Sequence, residues 1–134
     1  MGLDITFYKQ SKLDSRYHEE IGYFRKVNFI LTYFNVEDNA NCEDVYITKE
    51  QFEQFIVDLN TEIKNVSFDS EDNLLGDPPI PTNEKLKTKS VFFGGSTEYG
   101  ECYWYNIRRV RNWAQEAIKK IDWDKDDLCI VAWW

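Results

Sequence analysis

The sequence predicts an α+β domain, with a small mixed or antiparallel sheet of about four short strands and about three helices packed mainly on one face. Short stretches of alternating or continuous apolar residues indicate the strands. Longer segments with helical periodicity separate these stretches. A parallel α/β arrangement stays open, because helix-length connections also allow parallel neighbours.

The length of 134 residues fits one domain, and 43% hydrophobic residues are enough to fill a single core. We therefore expect residues 1–134 to form a single domain with a long flexible loop at about 67–89. Aromatic residues make up 16% of the chain, which favours a core built from large side chains or a surface with aromatic anchors.

The first predicted strand covers residues 3–8, where apolar and polar side chains alternate. We expect a polar connector at 10–20 and then a helix at about 21–35, whose apolar side chains fall within an arc of roughly 120°. Phe29 and Tyr33 lie outside that arc. This first helix is therefore expected either to be covered on both faces or to reach a partner.

A short strand is predicted at 45–47, followed by a helix from Lys49 to about Val66. Thr48 and Gln51 have the spacing of a capping box, which marks the start of this second helix. The apolar residues of the helix share an arc of roughly 100°, so the helix is expected to pack by that stripe.

The segment at 67–89 contains acidic residues and prolines, a composition that resists both helix and strand. A connection of this length predicts a mobile flap or a binding element, with simple disorder as the alternative. Its acidic residues form a second candidate partner-binding set: Asp69, Glu71 and Asp72.

A third strand is predicted at 90–93, and Ser96 or Thr97 is predicted to cap a third helix that ends at about Ile121. An acidic turn follows. The last predicted strand, 128–134, is almost continuously apolar, as expected for a strand covered at least partly on both faces.

The net charge of −8 and the pI near 4.7 disfavour binding to free nucleic acid or to a membrane surface. An acidic field suits a basic partner, such as the nucleic-acid channel of another protein. The simpler alternative is that acidity only keeps a small protein soluble. No apolar run approaches the ~18 residues that span a bilayer, and we expect a cytoplasmic protein.

The three cysteines are widely spaced and lack a C-x-x-C pair, which indicates reduced thiols. The acidic turn at 122–127 has part of a calcium-loop spacing, but it lacks the glycine and the terminal glutamate of that motif. His18 is the only histidine, and we expect it on the surface of a polar connector. The sequence therefore predicts no catalytic residues, no metal site and no cofactor.

A glycine turn before the third helix is a weak candidate for binding phosphate, because free backbone N–H groups and the helix dipole favour an anion there. The turn lacks the lysine of a P-loop and the full G-x-G-x-x-G pattern, so a tight turn with an N-cap is the alternative. The candidate residues are Gly94, Gly95, Ser96 and Thr97.

One side of the third helix carries the candidate partner-binding residues Trp104, Arg108, Arg111 and Gln115. An exposed indole flanked by guanidinium groups is typical of an interface hot spot. In the alternative, Trp104 packs under the long loop and the arginines pair with carboxylates.

Four stretches together resemble a largely uncharacterised family of small phage and prophage proteins: Met1-Gly2-Leu3-Asp4, residues 20–28, residues 92–99, and Trp104-Tyr105. The family pattern has a Trp where this chain has Phe24. The resemblance implies a phage-encoded protein, and small acidic phage proteins include anti-CRISPR inhibitors.

The resemblance implies a non-enzymatic protein that binds a host CRISPR-type nuclease, or its complex with guide RNA, and blocks guide or target nucleic acid. It would then work in the cytoplasm of the bacterial host. One alternative is a module that sequesters a nucleotide signal at the turn at 94–97. Another is a small enzyme of unknown reaction.

Overall fold

A computed structural model describes residues 3–36, 44–71, 73–88 and 99–133. Within these ranges the chain forms four strands, three α-helices and a short 3₁₀ helix at Glu84–Leu86. The strands are β1 (Asp4–Ser11), β2 (His18–Arg25), β3 (Val45–Ile47) and β4 (Asp126–Trp133), and the helices are α1 (Asn28–Tyr33), α2 (Lys49–Lys64) and α3 (Glu101–Lys120). The predicted α+β class is confirmed.

The sheet has the strand order β2-β1-β4-β3 and is antiparallel at every pairing. The antiparallel form of the prediction is therefore confirmed, and the parallel alternative is wrong. β1 lies at the centre and pairs along its length with β2 on one side and with β4 on the other.

The core lies between the helices and one face of the sheet. Phe7 on β1 is fully buried, and its ring centroid lies 6.1 Å from that of Phe24 on β2 and 4.6 Å from that of Trp113 on α3. Phe52 of α2 also contacts Trp113, at 5.8 Å. Large aromatic side chains therefore join both long helices to the sheet, as the composition predicts.

The prediction of a polar connector at 10–20 and a helix at 21–35 is wrong for residues 18–25, which form a strand. Residues 18–25 form β2, in which Phe24 lies opposite Ile5 of β1, and only Asn28–Tyr33 is α-helical. Apolar residues in this short stretch satisfy both a helical arc and the period of a strand, so local periodicity does not distinguish the two.

Lys26, with φ of 59°, turns the chain between β2 and α1. Phe29 and Tyr33 are both buried, so the expectation that this helix is covered on both faces is confirmed. Phe29 contacts Tyr103 of α3 at 5.7 Å, and Tyr33 contacts Phe55 of α2 at 4.7 Å.

The predicted start of α2 is confirmed. The Gln51 N–H donates to Thr48 Oγ1 at 3.1 Å, and the Thr48 N–H donates to Gln51 Oε1 at 2.8 Å, so both halves of the capping box are present. The predicted strands at 45–47 and near 128–134 are also present, as β3 and β4.

The prediction that Ser96 or Thr97 caps α3 is wrong, because α3 begins at Glu101 with Gly100 as its N-cap. Ser is a stronger N-cap than Gly, which is why the sequence favours the earlier start. Ser96, Thr97 and the predicted strand at 90–93 lie outside the described residues. The predicted end near Ile121 is confirmed, since Ile121 is the C-cap.

The described part of the 67–89 segment is held against the helices by the buried carboxylate of Glu62 on α2. Its Oε1 accepts hydrogen bonds from the Thr82 N–H at 3.1 Å, the Thr82 hydroxyl at 2.5 Å and the Asn83 N–H at 2.8 Å. Glu62 is only 1% exposed. One buried side chain therefore fixes the middle of the segment.

Two side chains of α3 hold the same segment at further points. The Trp104 Nε1–H donates to the Pro79 carbonyl at 3.1 Å, and the Tyr103 hydroxyl donates to the Leu86 carbonyl at 2.6 Å. Leu86 is itself fully buried. The segment therefore forms part of the packed body of the protein.

Candidate functional site

The sequence-predicted patch on α3 is not an exposed surface. Trp104 is only 1% exposed and lies beneath the 67–88 segment, so its interpretation as an exposed anchor is wrong. The alternative, in which Trp104 packs under the long loop, is confirmed. Burial of the indole together with its N–H hydrogen bond explains why this tryptophan is needed there.

The arginines of the predicted patch are distributed over two places. Arg108 stacks over the Phe68 ring at 4.3 Å, and together with Trp104 it lines a groove of about 370 Å³ beside α3. Arg111 donates to the side-chain oxygens of Asn60 on α2 and Asn112 on α3, both at 2.8 Å. Arg111 therefore joins the two helices and does not line the groove.

Gln115 is half-buried on α3, one helical turn beyond Arg111. The structure brings Trp104 and Arg108 together, while Arg111 lies at the contact between α2 and α3. Their role in partner binding stays a prediction.

In the acidic loop, Asp69 stabilises a tight turn. Its Oδ1 accepts the N–H groups of Glu71 at 2.8 Å and Asn73 at 2.9 Å. These backbone hydrogen bonds hold the pKa of Asp69 below its usual range. Glu71 is exposed, whereas Asp72 and the candidate phosphate turn at 94–97 lie outside the described residues.

His18 is exposed, as predicted, but it lies on β2 and its ring packs edge-on against Tyr8 at 5.6 Å. In the part of the chain that the structure describes, no group of three or more His, Cys, Asp and Glu side chains is placed to hold a metal ion. None of the helices in these ranges is both long and apolar enough to cross a bilayer.

The face of the sheet directed away from the helices carries a cluster of aromatic side chains. Ile5 and Phe7 point into the core, so Thr6 and Tyr8 point to the opposite face. The strand register extends that face across the sheet. On β2, Tyr23 lies opposite Thr6 of β1. On β4, Cys129 lies opposite both Tyr8 of β1 and Tyr46 of β3, and Trp133 lies opposite Asp4 of β1. We call this surface the aromatic face, defined by Tyr8, Tyr23, Tyr46 and Trp133.

Three side chains of the aromatic face are strongly exposed: Tyr23 at 50%, Tyr46 at 55% and Trp133 at 54%. Between them, Cys129 and Val131 are buried. Large amphipathic rings on a rigid sheet are the side chains that most often anchor protein interfaces. The aromatic face therefore presents anchors that are exposed and held in place by the backbone.

Carboxylates surround these rings. The register places Asp4, Glu20 and Asp127 on the same face. The Tyr23 hydroxyl donates to the Asp4 carboxylate, and this hydrogen bond raises the pKa of Tyr23 above its usual value. Arg25, opposite Asp4, is a basic residue of this face. The surface is therefore both aromatic and mainly acidic.

A cavity of about 410 Å³ opens on the aromatic face, and its lining includes Tyr8, His18, Asp44, Cys129 and Trp133. The Cys129 thiol forms long contacts to the Tyr8 carbonyl at 3.7 Å and to Gln10 Oε1 at 3.9 Å. Burial, and then the nearby carboxylates, raise the pKa of this thiol to about 11. The cysteine is therefore neutral near pH 7 and is not an activated nucleophile.

The sequence reasoning missed the aromatic face. By sequence pattern alone, Tyr23 fits the apolar arc of the first predicted helix, and Tyr8 lies among the polar residues that alternate with the apolar ones in the first strand. The available signal was the alternation in β1, which places Tyr8 opposite the core side chains. Neither Tyr46 nor Trp133 carries a local pattern, since only strand pairing brings them beside Tyr8.

Comparison of the chain with protein-family models, with curated proteins and with solved structures finds no match in any of the three.

Proposed function

We propose that the protein is a non-enzymatic binding protein that docks a basic partner on its aromatic face. The observation that carries this proposal is the presence of three half-exposed aromatic rings, Tyr23, Tyr46 and Trp133, on one face of a rigid sheet. Soluble domains bury most large aromatic side chains, and an exposed cluster marks an interaction surface.

The chemistry of the partner follows from the charges on that face. Asp4, Glu20 and Asp127 lie among the rings, and the net charge of the chain is −8. Complementary charge raises the rate of encounter with a positively charged surface and disfavours an acidic one. A partner rich in Arg and Lys therefore fits this face.

The cavity on the aromatic face suits one basic side chain of the partner. Tyr8 and Trp133 supply ring faces, and Asp44 supplies a carboxylate at the same cavity. A guanidinium or ammonium group gains from both kinds of contact, and it gains more as the interface excludes water. We expect an Arg or Lys inserted here to form the centre of the interface.

Within this proposal, the partner is a host CRISPR-type nuclease, and the protein blocks its guide- or target-binding channel. The support is the acidic aromatic face, together with the resemblance of the chain to small phage proteins. Channels that hold nucleic acid are lined with Arg and Lys and contain stacking surfaces. Occupation of such a channel requires stoichiometric binding and no chemistry by the inhibitor.

The test is binding to a purified effector nuclease with its guide RNA. Trp133→Ala and Tyr46→Ala should each weaken binding about tenfold or more, because truncation of a hot-spot residue costs at least ~1.4 kcal/mol. Tyr105→Ala is the matched control, since Tyr105 is 65% exposed but lies on α3 beside the other groove. Loss of binding in the control alone would place the interface on α3 and contradict the proposal.

A further inference from the structure

A second cavity, of about 440 Å³, lies between the β2–α1 turn and the first turn of α3. The two cavities have no lining residue in common, although Arg25, which lines this one, also belongs to the aromatic face. Its lining includes Arg25, Lys26, Asn28, Gly100 and Glu101. The volume lies within the range of about 300–1,000 Å³ that is usual for small-molecule sites.

The carboxamide of Asn28 is the most unusual group in this cavity. Asn28 is only 3% exposed, and both its Nδ2 and its Oδ1 are buried without a hydrogen-bond partner among the residues that the structure describes. A buried amide without partners is destabilising, so such groups in native proteins almost always have a reason. This amide can offer one donor and one acceptor, side by side, to a molecule in the cavity.

The first turn of α3 provides a second, independent feature. α3 is 20 residues long and its N-cap is Gly100, which has no side chain to accept the N–H groups of the first turn. The positive end of the helix dipole points in the same direction as these donors, an arrangement that favours a phosphate. Gly100 lines the same cavity as Asn28.

The charged side chains of the cavity also favour an anion. Arg25 and Lys26 are both exposed and basic, and they lie at the turn that leads into α1. Glu101, also exposed, is the acidic residue of the lining, in the first turn of α3. Two cations and free helix N–H groups therefore oppose one carboxylate.

We propose that this cavity binds an adenine mononucleotide, with its phosphate at the start of α3 near Lys26 and its base edge on the Asn28 carboxamide. Asn is well suited to adenine because its amide can accept from N6 and donate to N7 at the same time. A single ligand of this class supplies hydrogen-bond partners both to the Asn28 carboxamide and to the N–H groups of the first turn of α3. This cavity is distinct from the cavity on the aromatic face, and nucleotide binding here does not depend on partner docking there.

The test is calorimetric titration of the full-length protein with AMP, adenosine and inorganic phosphate. AMP should bind at least about tenfold more tightly than either adenosine or phosphate alone, because only AMP engages both ends of the cavity. Lys26→Gln should weaken AMP binding about tenfold and leave adenosine binding unchanged. Lys64→Gln is the matched control, an exposed lysine on α2 away from the cavity, and should leave AMP binding unchanged.

Asn28→Leu should abolish detectable AMP binding without lowering the melting temperature of the free protein, because the Asn28 amide has no hydrogen bond to any described residue that the change could remove. Asn28→Asp provides a second variant of nearly the same shape, which replaces the donor with a negative charge and should also lose AMP. The proposal is overturned if AMP does not bind, if phosphate binds as tightly as AMP, or if the folded Asn28 variants retain wild-type affinity.

Discussion

The indole of Trp113 on α3 occupies the space that a side chain at Gly22 of β2 would need. A Cβ atom at Gly22 would lie 2.5 Å from Cε2 of the indole, closer than such atoms approach in proteins. The Trp113 Nε1–H also donates to the Ile21 carbonyl at 2.7 Å. Trp113 therefore packs α3 directly against β2, and this close packing requires glycine at position 22.

Gly22→Ala should lower the free energy of unfolding by about 1–3 kcal/mol, the usual cost of overpacking a filled core. Urea denaturation of the two proteins measures the difference. The same substitution in a Trp113→Leu background should cost much less, since the ring that causes the clash is gone. An equal loss of unfolding free energy in both backgrounds would show that the backbone conformation at Gly22 requires glycine, and that the space for the Trp113 ring does not.

Glu62→Ala should lower the free energy of unfolding by about 3 kcal/mol, because the part-buried donors of Thr82 and Asn83 lose their shared acceptor. Glu116→Ala is the control. Glu116 is exposed on α3 and pairs only with Lys119 at the surface, so its loss should change stability by less than ~1 kcal/mol. Equal losses in the two variants would contradict the role assigned to Glu62.

Thr48→Ala removes one half of the capping box of α2 and should lower the free energy of unfolding by about 1 kcal/mol. Thr61→Ala, within the same helix, should instead leave stability unchanged or raise it by a few tenths of a kcal/mol, since Ala is the better helix former. Thermal unfolding should therefore show a lower melting temperature for Thr48→Ala than for Thr61→Ala. Equal decreases in melting temperature for the two variants would argue against the role of Thr48 as a cap.

Alkylation with iodoacetamide at about pH 8 should modify Cys102 well before Cys129. Cys102 is exposed, whereas Cys129 is 2% exposed and burial raises its pKa to about 11. Peptide mass mapping of briefly treated protein identifies the modified thiols. Equal rates at the two positions would mean that the aromatic face opens readily in solution.

The same pKa shift predicts a dependence of stability on pH. Burial raises the pKa of Cys129 above the usual value of a thiol, so the folded protein holds this proton more tightly than the unfolded chain does. Its contribution is fully present below about pH 9 and is lost as the pH rises towards 11. The stability difference between wild type and Cys129→Ala should shrink across that window. A constant difference would contradict the shift.

Local signals in the sequence were sufficient for α2, β3, β4 and the end of α3. A capping box, a single apolar stripe or a continuous apolar run determines each of these elements within a few residues. The first predicted helix failed because residues 21–27 fit two periods at once. Only the pairing of Phe24 with Ile5 decides between them, and that contact joins distant parts of the chain.

The candidate site was harder to predict for the same reason. Trp104 on an otherwise polar side of α3 looks exposed until Pro79 is known to cover it. Tyr46 on β3 and Trp133 on β4 share a face only because these two strands pair. Single-sequence patterns report the period of one element and carry no information on which elements become neighbours.

The pairing of β1 with β4 determines when the molecule can form its aromatic face. These strands are neighbours at the centre of the sheet, yet they come from opposite parts of the chain. A growing polypeptide therefore cannot assemble this sheet until the ribosome has made residue 133, and such long-range pairing slows folding. Until then the apolar side of β1 lacks its β4 neighbour, and removal of β4 should abolish the native state altogether.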